Sequence, residues 1–213
     1  MSGSTPMIPY QGFLRWLCLF FLVVLAFAFA FFVLMMIFQP QELKFTVIYA
    51  SLGEFNLSKI DDRTNNNTLS YNLTIDVAIR NPNKKVGVYF DRIEATANYG
   101  EELRLARLNS VVAPFYQGHK NTTTFRAVFE GRRFVTFEEY RSEIDRYNFE
   151  KSLGIFSIEV KINVRMRARY GKIRTGHFKH PKIDCELKVP LLSKNGTYSV
   201  IDHDFEATRC GDD

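Results

Sequence analysis

The chain has 213 residues, with Lys+Arg 28 against Asp+Glu 23 and a formal net charge of +5. So modest an excess suits an anionic membrane face or a polyanion, and it does not argue for nucleic acid. Outside one very apolar stretch near the start, roughly 170 residues remain, enough for one ordinary domain with its own core.

Residues 1–15 are a short leader whose one charged side chain is Arg15. Trp16 to Phe38 (WLCLFFLVVLAFAFAFFVLMMIF) carries no charge, Pro or Gly. Roughly twenty-two apolar residues make a helix long enough to cross a hydrocarbon core about 30 Å thick, with its backbone hydrogen bonds satisfied internally. The rival reading is a secretory signal peptide cleaved at Ala26-Phe27-Ala28 or Ala28-Phe29-Ala30. A signal's apolar region is only about 7 to 15 residues, and this run continues past both sites, which favours a retained anchor over 16–38. Cys18 within it is read as a packing residue, with palmitoylation as the alternative.

One charge in the leader leaves the positive-inside rule little to act on. The Asn-x-Ser/Thr sequons say more. They stand at Asn56, Asn66, Asn72, Asn121 and Asn195, all after the anchor, where chance gives roughly one or two. They predict glycosylation and a single pass, with the N-terminus cytosolic and residues 39–213 in the secretory lumen or outside the cell; unused surface sequons are the alternative.

Beyond Pro40, Leu43 to Leu52 and Phe55 to Ile60 are predicted as short strands, and Asp61 to Asn67 as a polar turn. Leu69, Tyr71, Leu73, Ile75, Val77 and Ile79 then alternate with polar residues, as the two faces of one strand require. Asn81-Pro82-Asn83 ends it, because Pro has no N–H for the ladder and Asn favours turns. Val86 to Tyr89, Ile93 to Tyr99, Leu103 to Leu108, Asn121 to Phe129 and Phe156 to Tyr170 continue the strand pattern. Between them, Phe134 to Asn148 has helical spacing through Phe137, Tyr140, Ile144 and Tyr147, with Thr136 as N-cap and Glu139 as its capping-box partner. These elements predict a mainly β fold, a β-sandwich with one helical crossover.

Arg165, Arg167 and Arg169 alternate with Val164, Met166, Ala168 and Tyr170, so three guanidiniums share one strand face. Lys172 and Arg174 follow Gly171 on a returning strand, with Lys179 and Lys182 beyond. Guanidinium forks match carboxylate and phosphate, which makes this a candidate face for anionic lipid or acidic wall polysaccharide; an ordinary solvated face is the plain alternative. His177, His180 and Asp184 invite a zinc reading, but residues three apart on a strand face opposite sides, and no metal site is expected. Cys185 and Cys210 are the two thiols beyond the anchor. In an oxidising compartment they are expected to form a disulfide, two free buried thiols being the alternative. Asp202-His203-Asp204 has the Asp-x-Asp spacing of metal-dependent sugar transferases, and is read as a polar turn.

Taken together, YNLTIDVAIRNPNKKVGVYFD (Tyr71 to Asp91), FYQGHKNT (Phe115 to Thr122), PKIDCELKVPL (Pro181 to Leu191) and a Cys near the end occur in an order that closely resembles the plant harpin-induced-like (non-race-specific disease resistance) family. The outer part of that family is a late-embryogenesis-abundant group 2 domain. The resemblance implies a seven-stranded sandwich of fibronectin-III-like shape, a plasma-membrane anchor, and roles in plant defence or stress without catalysis or cofactor. This chain's leader is shorter and less charged than in many relatives, and with no apolar tail after Cys210 the helix is expected to be the sole tether.

The expectation is therefore a non-enzymatic single-pass plasma-membrane protein that displays an extracellular sandwich in defence signalling or membrane–wall adhesion. Its partners would be a protein of immune signalling, an anionic lipid or a wall polysaccharide. A lipid-binding or membrane-tethering module and a Golgi-anchored type II transferase are the alternatives.

Overall fold

The structure, a computed structural model, describes residues 10–38, 41–61, 66–136, 139–179, 182–192 and 205–212. Two units divide the chain, Met1–Pro40 and Gln41–Asp213. The first holds α1 (Tyr10–Phe38), whose segment Gly12–Met36 is long and apolar enough to cross a membrane. Its side chains from Phe13 to Met36 are exposed all round. A helix that is apolar on every face, rather than along one stripe, suits lipid and not a sheet surface.

The second unit runs β1 (Lys44–Asp61), β2 (Asn66–Arg80), β3 (Val86–Tyr99), β4 (Leu103–Leu108), β5 (Phe115–Gln117), β6 (Thr122–Thr136), α2 (Arg141–Leu153), β7 (Ile155–Tyr170), β8 (Ile173–Arg174), β9 (Phe178–Lys179), β10 (Ile183–Pro190), β11 (Thr208–Arg209) and β12 (Gly211–Asp212). Among the described residues these form a four-stranded sheet, β11-β1-β2-β6, and a larger one along β12-β10-β7-β3-β4. In the larger sheet β5 also pairs with β3, and β8 and β9 with β7. Period-two alternation drives both. In β2 the buried set is Leu69, Tyr71, Leu73, Ile75, Val77 and Ile79, and in β7 it is the even-numbered residues Phe156 to Ala168. The two inner faces share a single core, because each sheet has only one apolar side to cover.

Three expectations are corrected by register. The two strands expected before residue 60 are one, since β1 pairs with β2 from Lys44↔Arg80 to Asp61↔Asn66, with register shifts that absorb its irregular pattern. Likewise β3 is continuous from residue 86 to residue 99, with a shift between Phe90 and Arg92. The helix begins at Arg141, not Phe134, because β6 keeps its ladder with β2 as far as Asn66↔Thr136. Thr136 therefore ends a strand and caps nothing; its hydroxyl reaches Glu139 at 3.4 Å. Phe134 points outward, 79% exposed, and Phe137 lies outside the described residues.

α2 closes one end of the sandwich. Ile144 and Tyr147 face inward, and Tyr147, Phe55, Tyr99 and Phe156 form a ring cluster with centroids 4.6 to 5.8 Å apart. Two acids are buried with them. Glu150 accepts from the Tyr99 hydroxyl at 2.9 Å, the Arg146 Nε at 3.0 Å and the Ser157 N–H at 3.3 Å. Glu143 packs against Gly100, whose φ of +70° favours glycine.

Along one edge the C-terminal segment crosses between sheets. β11 pairs with β1, β12 pairs with β10, and Cys210 between them is bonded to Cys185 of β10. The bond closes a separation of 25 residues. Replacing both cysteines by Ala is expected to lower unfolding free energy by about 3 kcal/mol, read by urea titration of the full chain in detergent. Burial raises the phenol pKa of Tyr71 and of Tyr99, with the Glu150 carboxylate adding to the shift at Tyr99. Raised folded pKa values mean that this stability is intact below the ordinary phenol value of about 10 and is lost as pH climbs above it. The urea midpoint should thus fall on the alkaline side of that value, and fall less in Tyr71→Phe.

Candidate functional site

At the end of the sandwich opposite α2, three segments meet around one buried amide. Pro82 stops β2, and the Asn81 side chain turns inward, 0% exposed. Its Nδ2 donates to the carbonyls of Val86 (2.8 Å) and Gly118 (3.1 Å), so the amide can take only this orientation. Its Oδ1 accepts from the N–H and the Nδ2 of Asn83, at 3.1 and 2.9 Å. Asn83 in turn clasps the backbone of Gln41, accepting its N–H at 2.7 Å and donating to its carbonyl at 2.8 Å. The turn after β5 is tied in by Asn81 N–H to Asn121 O and by Lys120 N–H to Asn83 O. Gln117 is fully buried, and its Nε2 holds the carbonyls of Ile79 and Asn121, both at 2.8 Å. Lys120 takes a positive φ of 51°, which the tight turn demands.

These ties position the cationic strand face. Val86 opposes Tyr170, Tyr89 opposes Arg167 on β7, and β5 sets Tyr116 beside Tyr89. Gly87 leaves room for the Tyr116 ring, whose Cζ would stand 2.7 Å from any Cβ there. The rings of Tyr89 and Tyr116 lie 4.6 Å apart. Arg167 and Arg174 lie over the Tyr89 ring at 5.6 and 4.8 Å, and Arg169 over Tyr116 at 5.6 Å. Guanidinium at these distances is attracted by the ring quadrupole and stays planar against it.

The face is less purely cationic than its sequence. Arg167 makes a bidentate pair with Asp91 at 3.0 and 2.6 Å, and His177 Nε2 stands 3.4 Å from the same carboxylate. Arg169 donates to Gly171 O and to the Tyr89 hydroxyl. Arg165, Lys172 and Arg174 are exposed, and β8 brings Arg174 opposite Arg169. Lys179 lies opposite Arg165 in the backbone register, and Lys182 is exposed. The arrangement is a stack of flat cations and aromatic rings with one carboxylate in it, open on its outer side.

Of the sequons, Asn56 is exposed and Asn72 half-buried, diagonal neighbours on the outer face of the smaller sheet. Asn121 is exposed in its turn, where its Oδ1 accepts from Thr122 N–H, and Asn66 begins β2. Asn195, His180 and Asp202-His203-Asp204 lie outside the described residues. Cys18 is a free, exposed thiol on α1. The buried Gln117, Glu143 and Glu150 escaped the sequence reading, because Ile79, Gly100 and Tyr99, which they meet, lie on other segments of the chain.

An apolar helix thus precedes a two-sheet β domain whose NPN turn is braced by buried amides. The family model for late embryogenesis abundant protein (LEA_2) matches residues 76–189, more than half of the chain, and the chain belongs to that family. It is 41% identical over 163 residues to NDR1/HIN1-like protein 10 of Arabidopsis thaliana, covering 76% of this chain and 67% of the relative. NDR1/HIN1-like protein 3 is 39% identical over 178 residues (84% and 71%), and NDR1/HIN1-like protein 2 is 39% identical over 166 (78% and 64%), both from the same organism.

Asn81→Ala would strand two carbonyls and the Asn83 amide inside the protein. It is expected to cost about 3 kcal/mol, read by urea titration, against less than about 1 kcal/mol for exposed Asn56→Ala.

Proposed function

We propose that this chain is a non-enzymatic protein of plant defence and stress responses, held in the plasma membrane by α1. Its N-terminus is cytosolic and its β domain is displayed outside the cell. In this reading the Tyr–Arg face of the larger sheet binds acidic wall polysaccharide, so that the protein links membrane to wall or reports on wall fragments. The observation that carries it is the open stack of Tyr89, Tyr116, Arg167, Arg169 and Arg174. Flat rings suit the apolar faces of sugar rings, and guanidinium forks suit uronate carboxylates. The sequons Asn56 and Asn72 sit on the smaller sheet, so glycans there would leave this face uncovered.

Two measurements test the reading. Protease on intact cells should remove the β domain, and endoglycosidase should shift the full chain by several glycans, reduced stepwise in Asn56→Gln, Asn72→Gln and Asn121→Gln. Full chain in detergent should bind immobilised pectate. The triple variant R165Q/R167Q/R169Q should bind it about tenfold more weakly, and Gly87→Ala, which displaces Tyr116, should also weaken it. Equal binding by wild type and triple variant would discard the ligand, and a protected, unglycosylated domain would discard the topology.

A further inference from the structure

The end of the domain braced by Asn81 and Asn83 carries a second charge pattern, which adjoins the Tyr–Arg stack at Lys172. Lys44, Arg80, Lys84, Lys85, Lys120 and Lys172 are all exposed there, with Glu42 exposed beside them. Their common placement follows from the backbone. Lys44 opposes Arg80, Arg80 opposes Thr122, Val86 opposes Tyr170, and Lys120 N–H bonds to Asn83 O. The buried carboxylates Glu143 and Glu150 belong to the other end, around Gly100 and α2. The domain is thus cationic at one pole.

That pole is also where the chain enters the domain. Asn83 fixes the backbone of Gln41 among these cations, and in the sequence only Gln39 and Pro40 separate Gln41 from the last residue of α1. Extended chain advances about 3.3–3.6 Å per residue, so little chain lies between a bilayer and these side chains. We propose that the six cations form a collar that binds the phosphates of anionic phospholipid headgroups in the bilayer that carries α1. The collar rests on the proposed membrane-spanning role of α1. In the proposed topology the leaflet met is the outer one, so the ligand is a phosphate-bearing anionic headgroup exposed on that leaflet. Clustered ammonium groups attract such phosphates within about a Debye length, and their flexible stems need no fixed geometry.

The test uses the full chain reconstituted in nanodiscs of phosphatidylcholine alone, or with phosphatidylglycerol added, followed by amide hydrogen exchange. Exchange in residues 81–86 and 118–122 should slow by about fivefold when the anionic lipid is present, the scale set by one engaged lysine. High salt should abolish the slowing. K84Q/K120Q/K172Q should lose it while exchange across Leu69 to Ile79 stays as in wild type, which shows the fold intact. Equal exchange in both lipids, or full slowing in the variant, overturns the collar. Alkaline carbonate extraction separates the two claims. Release from the disc overturns the spanning role and the collar with it, whereas retention without lipid-dependent slowing overturns the collar alone.

Discussion

Much of what this domain presents to its surroundings hangs on the buried side chain of Asn81. One amide, cut off from water, is matched by two carbonyl acceptors and two donors from the turn after β2 and the turn after β5. Asn83 carries the tie on to Gln41. A buried amide cannot be left half satisfied without a cost comparable to a sizeable share of the net stability of a domain, so the segments are held together or not at all. The start of the domain, the turn after β2 and the turn after β5 are thereby tied to one another. Tyr116 lies beside Tyr89 because β5 pairs with β3, and the lysines share a pole because these segments meet there.

The two outer faces of the sandwich have different characters. The smaller sheet is braced by an exposed Arg126–Asp76 pair at 2.7 Å and carries the sequons Asn56 and Asn72. The Arg126 contact holds the Asp76 carboxyl below its ordinary range, but so exposed a pair adds little to stability. The larger sheet concentrates its cations at one half. Toward α2 its outer side is mixed, with Lys161 on Glu159 and Arg107 on Glu94. The stacked Tyr and Arg side chains and the sequons Asn56 and Asn72 thus lie on different sheets.

Much of this was legible in the chain itself. Period two over Leu69 to Ile79 marked β2 with little ambiguity, since a strand packed on one side must alternate. The same parity placed Arg165, Arg167 and Arg169 on one face. What they would meet there was not legible, because it depends on a register shift between Phe90 and Arg92 that swings Asp91 toward Arg167. A bulge of that kind re-aims a side chain without changing the hydrophobic pattern. The misplaced helix start has a similar cause. Phe137, Tyr140, Ile144 and Tyr147 do fall at helical spacing, but Phe134 to Thr136 can satisfy their backbone against β2, and a partner strand is invisible in local periodicity. Buried Gln117 and Glu150 look like surface residues for the same reason: Ile79 and Tyr99, which they meet, stand far away in sequence.

The position of β1 in the smaller sheet has a mechanical side. It is the first strand of the domain and lies between β11 and β2, with fifteen residue pairs to β2 alone. A load entering at Gln41 and resisted at the far sheet runs along the axis of β1, so it strains those interstrand hydrogen bonds together, in shear. Peeling from an edge would instead break them one at a time. Cys185–Cys210 locks the neighbouring seam between the two sheets. A domain strung between a bilayer and a stiff outer matrix would, on this geometry, yield late and all at once, which force spectroscopy with the pull applied at residue 41 can read directly.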